Sequence, residues 1–266
     1  MTLIVFLLTL GLLGALLAGY RFGMSPGVLV VLFGAGPIVM IIQAGQLDVQ
    51  LFTWVKIFTL AVSMAVLVAR RAATGSRATF LSRVIVGILA LNILEAVAAD
   101  VASAAWWNAL AGGLLVATQP GAPAVGTRKL KGRVAVTYDL PWSWLLAYTG
   151  WNLAVVCMHY PPRWIDHMAV LTSPMVAVLW MRDRRCWLEA RAFTLGVFIN
   201  LVVLVLDVAR GPWIPTTPMP GIFLPAITFT ALVLGTWNAL AWWRDRWRSS
   251  RTDGPVIGGR TRHGPD

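Results

Sequence analysis

Long apolar runs separated by short polar gaps fill this chain of 266 residues. They predict helices over about 2–20, 27–43, 50–69, 82–99, 102–118, 140–160, 165–181, 187–208 and 221–243. At 1.5 Å per residue, runs of this length match a hydrocarbon layer of roughly 30 Å. A β-barrel would instead show short strands of alternating polarity. The shortest run is Ala104-Ala-Trp-Trp-Asn-Ala-Leu-Ala-Gly-Gly-Leu-Leu-Val-Ala-Thr118, and its connection to the preceding segment is tight.

Composition supports the same class. Hydrophobic residues make up 58% of the chain and charged residues 12%, with a mean hydropathy of +0.72. A soluble domain carries about twice that charged fraction. A water-soluble enzyme, a nucleic-acid-binding domain and a secreted disulfide scaffold are therefore excluded. The expected architecture is an all-α, polytopic transmembrane helical bundle of about nine spans.

The net charge of +11 reads as a topology signal, because the basic residues fall between the apolar runs. One side holds 19 Lys/Arg, counting Arg83 and Arg191 near the starts of their runs, against 2 on the other, Arg163 and Arg210, with Lys56 inside a span. The richer side includes Arg70, Arg71, Arg128, Lys129, Arg184, Arg185, Arg191 and six arginines from Arg244 to Arg262. The N-terminus is expected outside and the C-terminus in the cytoplasm. If 102–118 is instead a re-entrant helix, eight spans remain, and the 128–133 basic cluster moves outside against the charge rule. The first run lacks a basic start and is followed by more spans, so it does not read as a cleaved signal.

Tryptophans are expected in the headgroup zones: Trp106, Trp107, Trp164 and Trp213 outside, and Trp142, Trp144, Trp180, Trp187, Trp242, Trp243 and Trp247 inside. Trp151 falls well within a span. Residues 1–243 read as a single transmembrane domain. Residues 244–266 read as a basic, disordered cytoplasmic tail whose Arg/Trp start meets anionic lipid headgroups. Nucleic acid is not an expected partner. Gln119–Lys131 reads as a flexible cytoplasmic loop, and residues 211–221, with four prolines, as a stiff outer one.

Cys157 and Cys186 fall at opposite membrane faces, so no disulfide is expected. Two cysteines and three scattered histidines give no metal-ligand pattern, and no cofactor motif occurs.

Candidate chemistry therefore rests on polar groups inside the spans, each costly in hydrocarbon unless it faces a partner. Lys56, Asn92, Glu95, Asp100, Tyr148, Asn152, His159, Asn200 and Asp207 all fall from mid-span to the outer ends. Asn92–Glu95, Tyr148–Asn152, Asn152–His159 and Asn200–Asp207 have separations of three, four or seven residues, which return to one helix face. The expectation is a polar pocket in the outer half of the bilayer, open to the outside. Glu95 and Asp207 are the candidate catalytic carboxylates. Lys56, Asn92, Tyr148, Trp151, Asn152, His159 and Asn200 are the candidate binding residues. Lys56–Glu95 or Lys56–Asp207 is the natural ion pair, with helix packing alone as its plainer role. Asp100, Asp207 and His159 have the plainer alternative of being interfacial and solvated. Asp139, Asp166 and His167 read as solvated loop residues, and Glu189 with Arg185 or Arg191 as a cytoplasmic surface pair.

The segments Trp54-Val-Lys56, Leu91-Asn-Ile-Leu-Glu-Ala-Val-Ala-Ala-Asp100, Ala147-Tyr-Thr-Gly-Trp-Asn152 and Trp187-Leu-Glu-Ala-Arg-Ala-Phe-Thr-Leu195 resemble an uncharacterised family of bacterial multi-pass membrane proteins, a domain of unknown function. The resemblance covers about residues 50–243, without the 119–133 loop and the tail, and Asn-Ile-Leu-Glu-Ala is its most specific part. Lys56, Asn92, Glu95, Asp100, Trp151 and Asn152 match its motif positions. It implies a shared fold and a bacterial inner-membrane setting, and it implies no activity.

Three functions fit these readings. One is acid–base chemistry on, or binding of, a lipid or isoprenoid-like substrate, with a neutral Glu95 and nearby Trp151, Tyr148 and Trp54. Another is small-solute or proton-coupled transport, using breaks at Gly34–Pro37 and Pro174. The last is a structural or assembly partner. Scarce polar residues in the inner halves of the spans favour a one-sided pocket over a continuous path.

Overall fold

The computed structural model describes Gly14 and residues 51–130, 133–159, 164–198 and 221–252. The expected segments 2–20 and 27–43, the end of 187–208, the 211–221 loop, Asn200 and Asp207 lie outside the described residues, as does the tail beyond Thr252. Within them the chain is mostly helical, with seven α-helices and one β-hairpin. In chain order these are α1 (Leu51–Ala72), α2 (Gly75–Ala102), α3 (Trp106–Ala117), β1 (Val125–Leu130), β2 (Arg133–Tyr138), α4 (Trp142–His159), α5 (Trp164–Met181), α6 (Trp187–Phe198) and α7 (Phe223–Thr252).

The apolar runs locate these helices well, and two boundaries differ for a clear reason. Helix α2 starts at Gly75 rather than near residue 82, because Gly75-Ser-Arg-Ala-Thr-Phe is polar but still helical. Helix α7 continues past residue 243 to Thr252, so the first part of the expected tail is helix. Its arginines suit a helix C-terminus, where the backbone dipole favours cations.

The main correction is the 119–131 loop. A 3-10 turn at Ala122–Ala124 leads into β1, which pairs antiparallel with β2 in the register Val125↔Tyr138 to Leu130↔Arg133. Ala135, Val136, Thr137 and Tyr138 are all buried, so β2 is wedged against the helices. The Tyr138 hydroxyl donates to the Pro120 carbonyl. Burial pushes this phenol up to about 12, against a smaller downward pull from the Gln119 side chain.

Helix α4 sets the long axis of the site. It starts beside the hairpin and runs about 27 Å to His159 at the opposite end. Helix α3 is antiparallel to it. The Trp144 indole donates to the Leu115 carbonyl at 3.1 Å, and the Trp151 indole to the Asn108 carbonyl at 2.9 Å. At 12 residues, α3 is only about 18 Å long, short for a span. Among the described residues two helices are long and apolar enough to cross a membrane, Gly75–Ala102 and Phe223–Arg244.

The core is built from Ile85, Leu89, Ile93, Ala111, Leu115, Leu140, Trp144, Trp151, Trp187 and Phe193. Trp144 and Trp187 were expected in the inner headgroup zone and instead sit in this core. Tyr148 stacks on Trp144 at 5.4 Å and meets the edge of Trp187 at 4.9 Å. These rings bury large apolar areas in offset and edge geometries that favour aromatic pairs.

Candidate functional site

The site at the end opposite the hairpin grows from a tight turn. Helix α2 ends as Ala104 takes a left-handed φ of 57°, and the Ala105 N–H closes onto the Asp100 carbonyl at 2.8 Å. That is a helix stop more often made with glycine. The turn reverses the chain and brings the first residues of α3 against the last turn of α2.

Asp100 is fully buried, with 0% exposure. One carboxylate oxygen accepts the Asn108 amide at 2.7 Å, and the other faces His159 Nε2 at 3.0 Å. Asn108 in turn offers its backbone carbonyl to Trp151. The His159 side chain is 23% exposed, so the imidazole bridges the buried carboxylate and the surface. The second oxygen of Asn108, its side-chain Oδ1, is buried without a partner.

A glycine makes this junction possible. A Cβ on Gly112 would lie 2.5 Å from Val97 Cγ2 and 2.8 Å from the Trp151 ring. The absence of a side chain at Gly112 lets α2, α3 and α4 meet, and that meeting carries Trp151 to Asn108.

Of the expected site residues, His159 and Trp151 join this cluster. The Asn152 amide donates to the Tyr148 hydroxyl at 3.1 Å, and Tyr148 is buried in the aromatic core. The Asn92 amide turns back to the Ile88 carbonyl of its own helix at 3.0 Å. Asn92 and Glu95 lie on the half-buried flank of α2, away from its buried stripe of Ser82, Ile85, Leu89, Ile93 and Asp100. Lys56 is in α1, and its side chain lies outside the described residues. Sequence reasoning missed Asn108; the available signal was its position one turn into a short helix directly after Asp100.

A second polar group braces the hairpin end. Glu189 was expected on the surface with Arg185 or Arg191. It is 1% exposed, pairs with Arg71, and accepts the Val136 N–H at 3.2 Å. Nearby, Asp183 accepts from Arg128, and from Arg185 Nε at 2.9 Å. Burial alone would raise its pKa, but the hydrogen bonds from Arg185 and Arg128 outweigh that and hold it below the usual carboxylate range. Asp139 is exposed, as expected, and pairs with Arg184.

These features define a mostly helical protein with a buried aromatic middle, a carboxylate–imidazole pair at one end and an arginine-rich hairpin at the other. The chain belongs to a family of unknown function, DUF5692, whose model matches residues 20–211. That match begins earlier than the expected resemblance, takes in the hairpin, and stops short of α7. No curated protein and no solved structure matches the chain.

Proposed function

We propose that this is a multi-pass integral membrane protein of the bacterial inner membrane, with Asp100–His159 as an acid–base site at its outer face. The single observation that carries the reading is the fully buried Asp100 carboxylate holding a part-exposed imidazole. With Nε2–H donated to Asp100, the other ring nitrogen is left to accept a substrate proton. The buried carboxylate then offsets the charge of the imidazolium. Asn108 keeps the carboxylate aimed.

The membrane reading draws on two further facts. Only 28% and 17% of the residues in the two long apolar spans are buried inside the protein, and Leu91, Leu94, Phe229, Val233, Trp237 and Leu240 point outward. That surface suits acyl chains rather than water. Apart from Lys56 and the buried Arg191, the described Lys/Arg residues are on element or loop ends at the hairpin side, which favours placing that side in the cytoplasm. On this reading α3 returns the chain to the cytoplasmic face as a thin crossing, and the nine-span order with N-terminus outside follows. Glu95 remains a secondary candidate carboxylate, with Lys56 and Asp207 as the partners that the sequence offers it.

The substrate class we favour is a lipid or isoprenoid-like molecule. Trp106 and Trp107, beside Asn108, are 62% and 68% exposed, giving an apolar approach to the polar pair. Transport fits less well, because the described interior between the two ends is Trp144, Tyr148, Trp151 and Leu115.

The test is lipid profiling of a host lacking the protein, complemented with wild type, His159→Gln or Asp100→Asn at matched membrane levels. Wild type should restore the lipid pool, and each variant should cut turnover by about 10²–10⁴-fold. Full restoration by both variants refutes the acid–base role and favours an assembly function. A cysteine placed at residue 130 should label only from the cytoplasmic side; outside labelling overturns the orientation.

A further inference from the structure

Arg191 is a buried cation whose charge no carboxylate among the described residues answers. It sits one turn into α6, is 8% exposed, and its Nε is buried without a partner. The one acceptor its guanidinium meets among the described residues is the Val170 carbonyl, 3.5 Å from Nη1, at the long limit of a hydrogen bond. That acceptor has a definite origin. Pro174 lies four residues further along α5 and has no N–H to give the Val170 carbonyl, so the helix is left with an open acceptor there. Arg191 reaches up to it. The guanidinium therefore lies beside the middle of α5 rather than at its hairpin end.

The contrast with those arginines is informative. Arg71 is answered by Glu189, Arg128 and Arg185 by Asp183, and Arg184 by Asp139. Arg191 has no carboxylate among the described residues. A guanidinium has five N–H donors, and burying it with one long hydrogen bond is strongly unfavourable unless an anion completes the shell. A second orphan donor stands one turn away on the same face of α6: the indole N–H of Trp187, buried without a partner. Two such donors at i and i+4 lie on adjacent turns of one face.

We infer that Arg191, with Trp187, forms a binding site for a small free anion inside the helix bundle, distinct from the Asp100–His159 site. The burial of both donors, Arg191 at 8% and Trp187 at 1% exposure, favours an ion of halide or small-carboxylate size over a lipid headgroup. The depth of the guanidinium points the same way, since a headgroup would have to leave the interface. The inference rests on the membrane reading but on different residues from the acid–base site, and it survives the failure of that acid–base role.

The experiment uses the full chain in nanodiscs at constant ionic strength. Gluconate, a bulky anion as the reference, is replaced by chloride, acetate or inorganic phosphate, while Tm and binding of radiolabelled chloride are followed. Wild type should bind chloride saturably and gain Tm in step. Arg191→Gln should lose both, and Trp187→Phe, which keeps the ring and removes the donor, should weaken binding several-fold. If Arg191→Gln does not fold, Arg191→Lys keeps a charge but loses the Nε donor and should also bind more weakly. No saturable chloride binding by wild type overturns the inference. So does unchanged binding in the Arg191 variants, or stabilisation only by nanodiscs containing phosphatidylglycerol.

Discussion

Gly112 and Gly113 are adjacent in one helix, yet the structure assigns them opposite responses to an added methyl group. Gly112→Ala puts a Cβ 2.5 Å from Val97 Cγ2 and 2.8 Å from two Trp151 ring carbons. Trp151 is fully packed and tied to Asn108, so its ring cannot yield without lengthening that hydrogen bond. Overpacking of this kind costs about 1–3 kcal/mol, and a weakened hydrogen bond adds about 1 kcal/mol. Higher helix propensity returns about 1 kcal/mol. The net expectation is a loss of about 2 kcal/mol. Gly113→Ala meets nothing within 4 Å and keeps only the propensity gain, about 0.5–1 kcal/mol of stabilisation. Reversible denaturation of the purified protein in detergent, followed by tryptophan fluorescence, measures both. Equal responses from the two variants, or a stabilised Gly112→Ala, would refute the close approach of α2, α3 and α4 at this glycine.

Two further outcomes follow from the hairpin end. Glu189→Gln deprives Arg71 of its carboxylate in a buried setting and should cost about 3 kcal/mol, whereas replacing both Arg71 and Glu189 by Met should recover most of that; chemical denaturation of the three variants checks it, and an undamaged single variant contradicts the buried pair. Asp183 has a lowered folded pKa, so its contribution is present above the ordinary carboxylate value of 3.8 and is lost as pH falls through the folded value. Because Arg128 and Arg185 are half exposed, solvent screening limits Asp183→Asn to about 1 kcal/mol near pH 7. The gap to wild type should close below pH 3.8, and a gap independent of pH would sink the ionic account.

Helix positions were legible because a helix closes its own hydrogen bonds, so a long apolar run needs no distant partner to be recognised. The hairpin was not, although the alternation in Val134-Ala-Val-Thr-Tyr138 and the glycine at 132 carry a strand signal. Two six-residue strands vanish beside runs three times as long. Asp100 and His159 each fall near the end of an apolar run, and the two side chains meet at 3.0 Å. Position along the runs did not separate the solvated reading of that pair from the buried one, because burial of Asp100 depends on α3 folding back over it.

The amino-acid order alone determined a mostly helical chain and the approximate helix limits, since each follows from neighbours within a few turns. Tertiary structure alone decided which charges meet. Glu189 finds Arg71 across 118 residues, Asp100 finds His159 across 59, and Arg191 finds the carbonyl opened by Pro174 rather than the surface. The physical reason is that a buried ionisable group is placed by the packing that removes it from water. Packing is a property of several helices at once, and no single stretch of sequence contains it.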